Sequence, residues 1–315
     1  MDAYTCEVSA ATDAWRRSEP VRFEFERLMR GTINNAADPQ HSDRTIRVLV
    51  RSGRACVLHG MGMPTVLIPL RGCVKLIENE STRILPAGRL YVSEGANHVQ
   101  AIGSGDSLWV SLVAPANVWR QFVDVISEQT IPAPVLLPTT HVADRTIRRA
   151  VVRLAREARN GTASRESQGA MLRFVSLLLD LQSKFDPLIR RCPGRTLGQR
   201  RGIFLRLQRV CGYIESSSDL DLGIAEFARV ANYSPCHFLR TFNSVYGKTP
   251  HAVLIEQRLK RARRLVNDTA LSIAEVARAS GFENRCAFAR SFKRRFGETA
   301  TAARERGLVG ASAYE

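Results

Sequence analysis

Two stretches in the C-terminal third of this chain repeat each other. Ile224-Ala225-Glu226 and Ala228-Arg229 recur as Ile273-Ala274-Glu275 and Ala277-Arg278 at an offset of 49. Phe238, Arg240, Phe242, Gly247 and Thr249 recur as Phe288, Arg290, Phe292, Gly297 and Thr299 at an offset of 50. One residue is therefore inserted at the turn of the second copy. Self-similarity at such a period means one supersecondary unit built twice. In the second copy, Ser272 and Glu275 have capping-box spacing, each satisfying a free N–H group at a helix start. Ile273, Val276, Ala277 and Ser280 follow at helical spacing, and Gly281 allows a sharp turn because it takes a positive φ without steric cost. Phe288, Phe292 and Phe296 then make one apolar stripe on a second helix, with Arg285, Arg290, Lys293, Arg294 and Arg295 on its other face.

The first copy carries the same chemistry in different residues. Asn232 stands where Gly281 does, and Asn is the next best residue for a left-handed conformation. Ser234 and Pro235 suit an N-cap and a first helical position, and Asn284 suits the other N-cap. Gly223 replaces the capping Ser, so this first helix should start more softly. Between the copies, Thr249-Pro250 opens a long helix to about Asn267, with Arg258, Lys260, Arg261, Arg263 and Arg264 on one face. A helix from Phe204 to Glu215 precedes the first copy. Two short helices, the second basic outside and aromatic inside, have the layout of a helix-turn-helix.

Charge points the same way. The formal net charge is +16, and Phe204 to Glu315 hold 18 Lys+Arg against 11 Asp+Glu. Such an excess implies affinity for polyanions, nucleic acid before anionic membrane. No apolar run is long enough to span a bilayer, and the first residues are polar and acidic rather than signal-like, so a cytoplasmic location is expected. Seven scattered cysteines with no C-x-x-C pair argue against a disulfide framework and a zinc site.

The N-terminal part reads differently. Trp15, Phe23, Phe25 and Leu28 hint at a helix, and the polar stretch from Asn34 to Arg44 at a loop. From Thr45 to Pro115, short β-rich runs alternate with Gly and Pro breaks, which predicts a small antiparallel barrel or sandwich. Pro86-Ala87-Gly88 between two strands and Gly95-Ala96-Asn97-His98 after the next resemble the second half of a cupin-type jelly roll. A metal site there needs several His with a carboxylate. The region offers His59 and His98 with Glu78, Glu80 and Glu94, and no His-x-His pair, so no metal and no cofactor is expected. A pocket for a small molecule remains open. Ile147, Val151, Leu154 and Ala158 form one helical stripe. Met171, Phe174, Val175, Leu178, Leu179 and Leu181 form a wider one, read as core or dimer interface.

The last hundred or so residues resemble the DNA-binding domain of the AraC/XylS family of bacterial transcription regulators. The matching signature, I-A-x6-G-F-x5-F-x-R-x-F-K-x-x-F-G, runs from Ile273 to Gly297. The resemblance implies two helix-turn-helix units joined by a long helix, set into successive major-groove segments of double-stranded promoter DNA. It also implies recruitment of RNA polymerase by an activator. Carried over position by position, the groove-facing residues are Cys236, His237 and Leu239 in the first unit, with Arg285, Cys286 and Ala287 in the second. Arg240 and Arg290 stand out from the repeat itself, at the same place in both copies and off the phenylalanine stripe. Arginine at 240 and 290 suits bidentate contact to guanine, and Lys293 and Arg294 suit phosphate. The chain departs from the family at Glu298-Thr299-Ala300, where a proline is missing, so the last helix should start weakly.

The expected architecture is α+β, a cupin-like β-barrel followed by an all-α domain. Its parts are a regulatory domain over 1–143, a helical dimerisation segment over 144–185, a basic linker over 186–202, the double helix-turn-helix over 203–306 and a tail over 307–315. The expected function is a non-enzymatic, homodimeric, sequence-specific regulator of transcription, acting as an activator that answers a small molecule or another N-terminal signal. Two alternatives stand beside it: a metal-dependent cupin enzyme fused to a DNA-binding domain, and a sequence-neutral architectural DNA-binding protein.

Overall fold

The computed structural model describes residues 21–28, 33–35, 44–59, 63–78, 81–93, 95, 98–127, 136–160 and 165–312. The chain divides into two compact units, Met1–Pro187 and Leu188–Glu315.

In the first unit, eleven strands among the described residues form two sheets. They are β1 (Arg22–Leu28), β2 (Ile33–Asn35), β3 (Thr45–Ser52), β4 (Cys56–His59), β5 (Thr65–Arg71), β6 (Cys73–Glu78), β7 (Ser81–Pro86), β8 (Arg89–Ser93), β9 (Val99–Gly103), β10 (Leu108–Val113) and β11 (Thr140–Val142). The six-stranded sheet runs β1-β3-β10-β5-β8-β11 and the five-stranded sheet β2-β4-β9-β6-β7. Leu49, Leu67, Trp109 and Val113 of the first sheet share a core with Val57, Val74, Leu76, Leu85 and Ala101 of the second. The alternate residues of the first sheet, among them Ile46, Val48, Val66, Ile68, Val110 and Leu112, pack on helices. Covered on both faces, this sheet has near-continuous apolar strands such as TVLIPL. Among the described residues the five-stranded sheet is covered on one face only, and β6 alternates, with Val74 and Leu76 buried and Lys75 exposed.

Of the two expected forms, barrel or sandwich, the described residues show two sheets facing each other across one core and not a closed cupin-like barrel. The two sheets stay separate, because the outer face of the six-stranded sheet is itself apolar and is held between two apolar layers. A second expectation fails at Phe23 and Phe25. The segment is strand β1, parallel to β3, and the period is 2: Val21 and Phe23 are buried and Phe25 packs on the same core. Trp15 and most of the polar stretch after Asn35 lie outside the described residues, as do Glu80, Glu94 and the side chain of His59. His98 is exposed.

Three helices cover the six-stranded sheet. The first, α1 (Ala116–Ile126), was not anticipated, although Val118, Trp119, Phe122 and Val123 lie on one helical face and are all buried. The others are α2 (Arg145–Asn160) and α3 (Arg165–Ser183). Met171, Phe174, Val175 and Leu178 are buried within this single chain. The wide stripe considered for dimerisation is thus largely core, with Leu177, Leu179 and Leu181 left half-buried at its margin.

Residues 186–202 are mainly helical rather than an open linker. Helix α4 spans Asp186–Arg191, and α5 (Leu197–Ser216) begins earlier than its apolar pattern suggests. A capping box explains that early start: Thr196 accepts from the Gln199 N–H, and the Gln199 side chain returns a bond to the cap.

Candidate nucleic-acid interface

The rest of the second unit is helical: α6 (Ile224–Ala231), α7 (Pro235–Tyr246), α8 (Pro250–Asp268), α9 (Ile273–Ala279), α10 (Arg285–Phe296) and α11 (Ala300–Ser312). The sequence repeat is a repeat in space. Phe238 and Phe242 pack as tilted rings with centroids 5.5 Å apart, and Phe288 and Phe292 do the same at 5.5 Å. Each ladder continues to a fourth-residue aromatic, Tyr246 at 4.6 Å and Phe296 at 4.7 Å. All four inner rings are fully buried, so each unit has its own aromatic core under its second helix.

The turns superimpose bond for bond. Asn232 N–H donates to Arg229 O and Tyr233 N–H to Ala228 O; Gly281 N–H donates to Arg278 O and Phe282 N–H to Ala277 O. Asn232 sits at φ 55° and Gly281 at φ 83°, the left-handed conformation both were expected to adopt. These bonds keep the offset of 49 through Tyr233 and Phe282, whereas the N-caps Ser234 and Asn284 are already 50 apart. The inserted residue is therefore Glu283.

Capping differs between the copies. Ser272 and Glu275 form the expected box, and Asn284 Oδ1 accepts from the N–H groups of Cys286 and Ala287. Ser234 occupies its cap position without a side-chain bond. Gly223 cannot supply one either, and Glu226, released from that duty, accepts from the Tyr213 hydroxyl instead. Thr299 compensates for the missing proline by accepting from the Ala302 N–H at 3.2 Å, so α11 does have a capped start. Ser272→Ala should cost the second unit about 1 kcal/mol, and Ser234→Ala much less, as read by urea unfolding followed by circular dichroism. Equal losses would contradict the capping assignment.

The basic face of α8 does more than present charge. Arg258 donates to Ser218 O and Leu220 O, both at 2.8 Å. Arg261 donates to Ala279 O at 2.9 Å, and Arg263 pairs with Glu298 at 2.6 Å. These three side chains tie α8 to the segment before the first unit, to the turn of the second and to the start of the last helix. Only the exposed Arg264 fits the expected solvent-facing role without a bonded partner among the described residues.

The second helices present what remains. Cys236, His237 and Arg240 are exposed on α7, and Arg285, Cys286, Arg290, Lys293 and Arg294 on α10. The side chains of Arg240 and Arg290 have no partner among the described residues, so the intramolecular ion pair that could have explained them is absent there. Leu239 and Ala287 are half-buried, and His237 packs its ring edge-on against Tyr233 at 4.6 Å. On α10, Cys286, Arg290, Lys293 and Arg294 fall at i, i+4, i+7 and i+8, one face opposite the phenylalanines. The same spacing on α7 adds two exposed residues that sequence reading passed over, Asn243 and Ser244. The offset of 50 from Lys293 and Arg294 points straight at them, but neither carries a charge to draw the eye.

Comparison with known proteins agrees with this geometry. Residues 227–306 match a family described as a helix-turn-helix domain. The probable transcriptional regulator LumQ of Photobacterium leiognathi is 29% identical over 97 residues, 31% of this chain and 39% of LumQ. The virulence regulon transcriptional activator VirF of Yersinia enterocolitica is 35% identical over 81 residues, 26% of this chain and 30% of VirF. A solved structure of a probable AraC family transcriptional regulator from Rhodopseudomonas palustris aligns at 26% identity and a TM-score of 0.32, covering 32% of this chain and 96% of that one. The matched stretch is thus well under half the length of these curated relatives. Residues 227–306 are thus a helix-turn-helix domain similar to those of transcriptional regulators such as LumQ and VirF, in line with the resemblance to the AraC/XylS family.

Proposed function

We propose that this protein is a sequence-specific DNA-binding regulator of transcription, with α7 and α10 as the two helices that read base edges. The observation that carries this reading is the duplicated exposed face on helices with separate aromatic cores, each with an unpartnered arginine at the same position. Arg240 and Arg290 reach base edges, where a guanidinium fork matches guanine O6 and N7. Lys293 and Arg294 neutralise phosphates and set register. Cys236 and Cys286 offer small contacts to the groove, and His237, Leu239, Arg285 and Ala287 flank them. Asn243 and Ser244 take neutral hydrogen-bonding roles where the second unit uses charge, so the second unit grips the backbone harder.

An activator that recruits RNA polymerase is the sense of regulation we favour, because VirF, an activator by name, is 35% identical to this chain over 81 residues. The N-terminal unit, over 1–143 with the helices of 144–185, takes the regulatory role, in which a small molecule changes the affinity of the C-terminal domain over 203–306 for DNA. A homodimer is supported by the half-buried leucine margin of α3. No helix among the described residues is long and apolar enough to cross a membrane.

The test is selection of bound sequences from random duplexes, followed by footprinting on the winning site. A defined site protected over two neighbouring major-groove segments is expected; protection with no preferred sequence would instead indicate an architectural protein. Affinity for that site should fall steeply with salt as counterions are released. Lys293→Ala and Arg294→Ala should each flatten the slope of log K against log [salt] by about 1 and weaken all sequences alike. An unchanged slope in both would remove these residues from the phosphate contacts.

A further inference from the structure

Helix α2 carries Arg145, Arg148, Arg149, Arg153, Arg156 and Arg159 against a single acid, Glu157. Its inner flank is buried in the core through Ile147, Val151 and Leu154. Along its outer flank runs an open groove of about 790 Å³. Leu70 of β5 and Val152 contribute apolar surface to it, and five arginines, Arg145, Arg148, Arg149, Arg153 and Arg156, line it against one carboxylate, Glu157. Arg153 approaches Glu157 at 3.9 Å, and Arg148 donates to the Asp144 backbone carbonyl. The side chains of Arg145, Arg149 and Arg156 have no partner among the described residues.

Nothing in the unit's own folding explains this concentration of arginine. Asp144 caps the helix through the Ile147 N–H, but no acid stands in the first turn, where Arg145 and Arg148 face the positive end of the helix dipole. Arg145 and Arg149, and Arg149 and Arg153, are like charges four residues apart and repel. Exposed helix positions are served as well by Gln or Glu. The arrangement becomes favourable when an anion fills the groove, because each guanidinium offers a planar fork to an oxyanion.

We propose that this groove binds a small organic oxyanion with an apolar body, the head held by Arg149 and Arg156 and the body lying on Leu70 and Val152. The volume is that of a small-molecule site. A bare phosphate backbone has no use for the apolar floor. A second copy of the chain is an unsuitable occupant, since a two-fold contact would set arginine against arginine. The site lies wholly within the N-terminal unit and does not rest on the DNA-reading assignment.

Isothermal titration calorimetry of the full chain tests it, with octanoate, phenyl phosphate, inorganic phosphate and 1-octanol as probes. At least one of the two amphiphilic anions is expected to bind once per chain, and the one that binds identifies the head group. Inorganic phosphate should bind about tenfold more weakly or worse, and octanol should not compete. Arg149→Gln combined with Arg156→Gln should lower the anion's affinity about tenfold or more, while Arg173→Gln, on the exposed face of α3, leaves it unchanged. Arg156→Gln alone should give a smaller loss, and circular dichroism establishes that each variant is folded. Octanol binding as tightly as octanoate, full affinity in the double variant, or no heat from either anion would overturn the proposal. So would a short duplex of arbitrary sequence that loses affinity in the double variant while neither small anion binds.

Discussion

Replacing Arg290 with Ala lowers affinity for the selected DNA site by roughly tenfold to a hundredfold, the 1–3 kcal/mol of a bidentate contact to guanine. Arg240→Ala does the same at the other segment of the site. Sequence-independent binding changes much less, because one positive charge among many is lost. The discriminating variant is Arg290→Lys. Lysine keeps the charge but has no planar fork, so it restores phosphate contact and fails to restore base reading. Fluorescence anisotropy on the selected site and on a scrambled duplex measures both affinities. If their ratio is the same for wild type and Arg290→Ala, α10 does not read bases through this residue. The expectation rests on geometry: Arg290 is exposed, has no partner among the described residues, and its helix is anchored by the fully buried Phe288 and Phe292.

Gly281→Ala is the substitution expected to damage the C-terminal unit most. Gly281 has φ 83°, where a side chain is strained, and a Cβ would lie 2.7 Å from Ser218 O and 2.8 Å from Arg258 Nε. Arg258 is itself bonded to Ser218 O and Leu220 O, so it cannot withdraw without breaking those bonds. Backbone strain and overlap together should cost roughly 3 kcal/mol or more. Gly297→Ala provides the control. Its φ is 77°, yet a Cβ there meets nothing within 4 Å, so strain alone should cost about 1 kcal/mol. The three tryptophans, Trp15, Trp109 and Trp119, all precede this unit, so hydrogen exchange over peptides from α8 to α10 is the proper readout. Similar losses at both glycines would show that the turn does not pack against Ser218 and Arg258 as described.

Much of the second unit was legible because its determinants are local. Caps, turn residues and an i, i+4 stripe of phenylalanine act within a dozen residues, and duplication made each signal visible twice. The failures there had local causes as well. The start of α5 was missed because Thr196 and Gln199 cap a helix whose first turns carry no apolar stripe. The bonding of Arg258, Arg261 and Arg263 was invisible because their acceptors, Ser218, Ala279 and Glu298, are distant in sequence. The first unit was harder for the same reason. Phe23 and Phe25 fit a short helix or a strand, and the partner that decides, β3, begins 20 residues later.

The sequence by itself determined that one helix-turn-helix was built twice, where its turns fall, and which arginines are twinned, since those follow from short-range propensity and an internal repeat. Only the tertiary structure decided which cations are free. In sequence Arg258, Arg261 and Arg263 form an exposed-looking basic helix face of their own, but the fold brings acceptors to these three and leaves the twinned Arg240 and Arg290 facing out. It also decided that the apolar stripe of α3 lies in the core and that the arginines of α2 line a groove. Each of these outcomes depends on long-range packing, and a sequence pattern specifies a face without naming what will cover it.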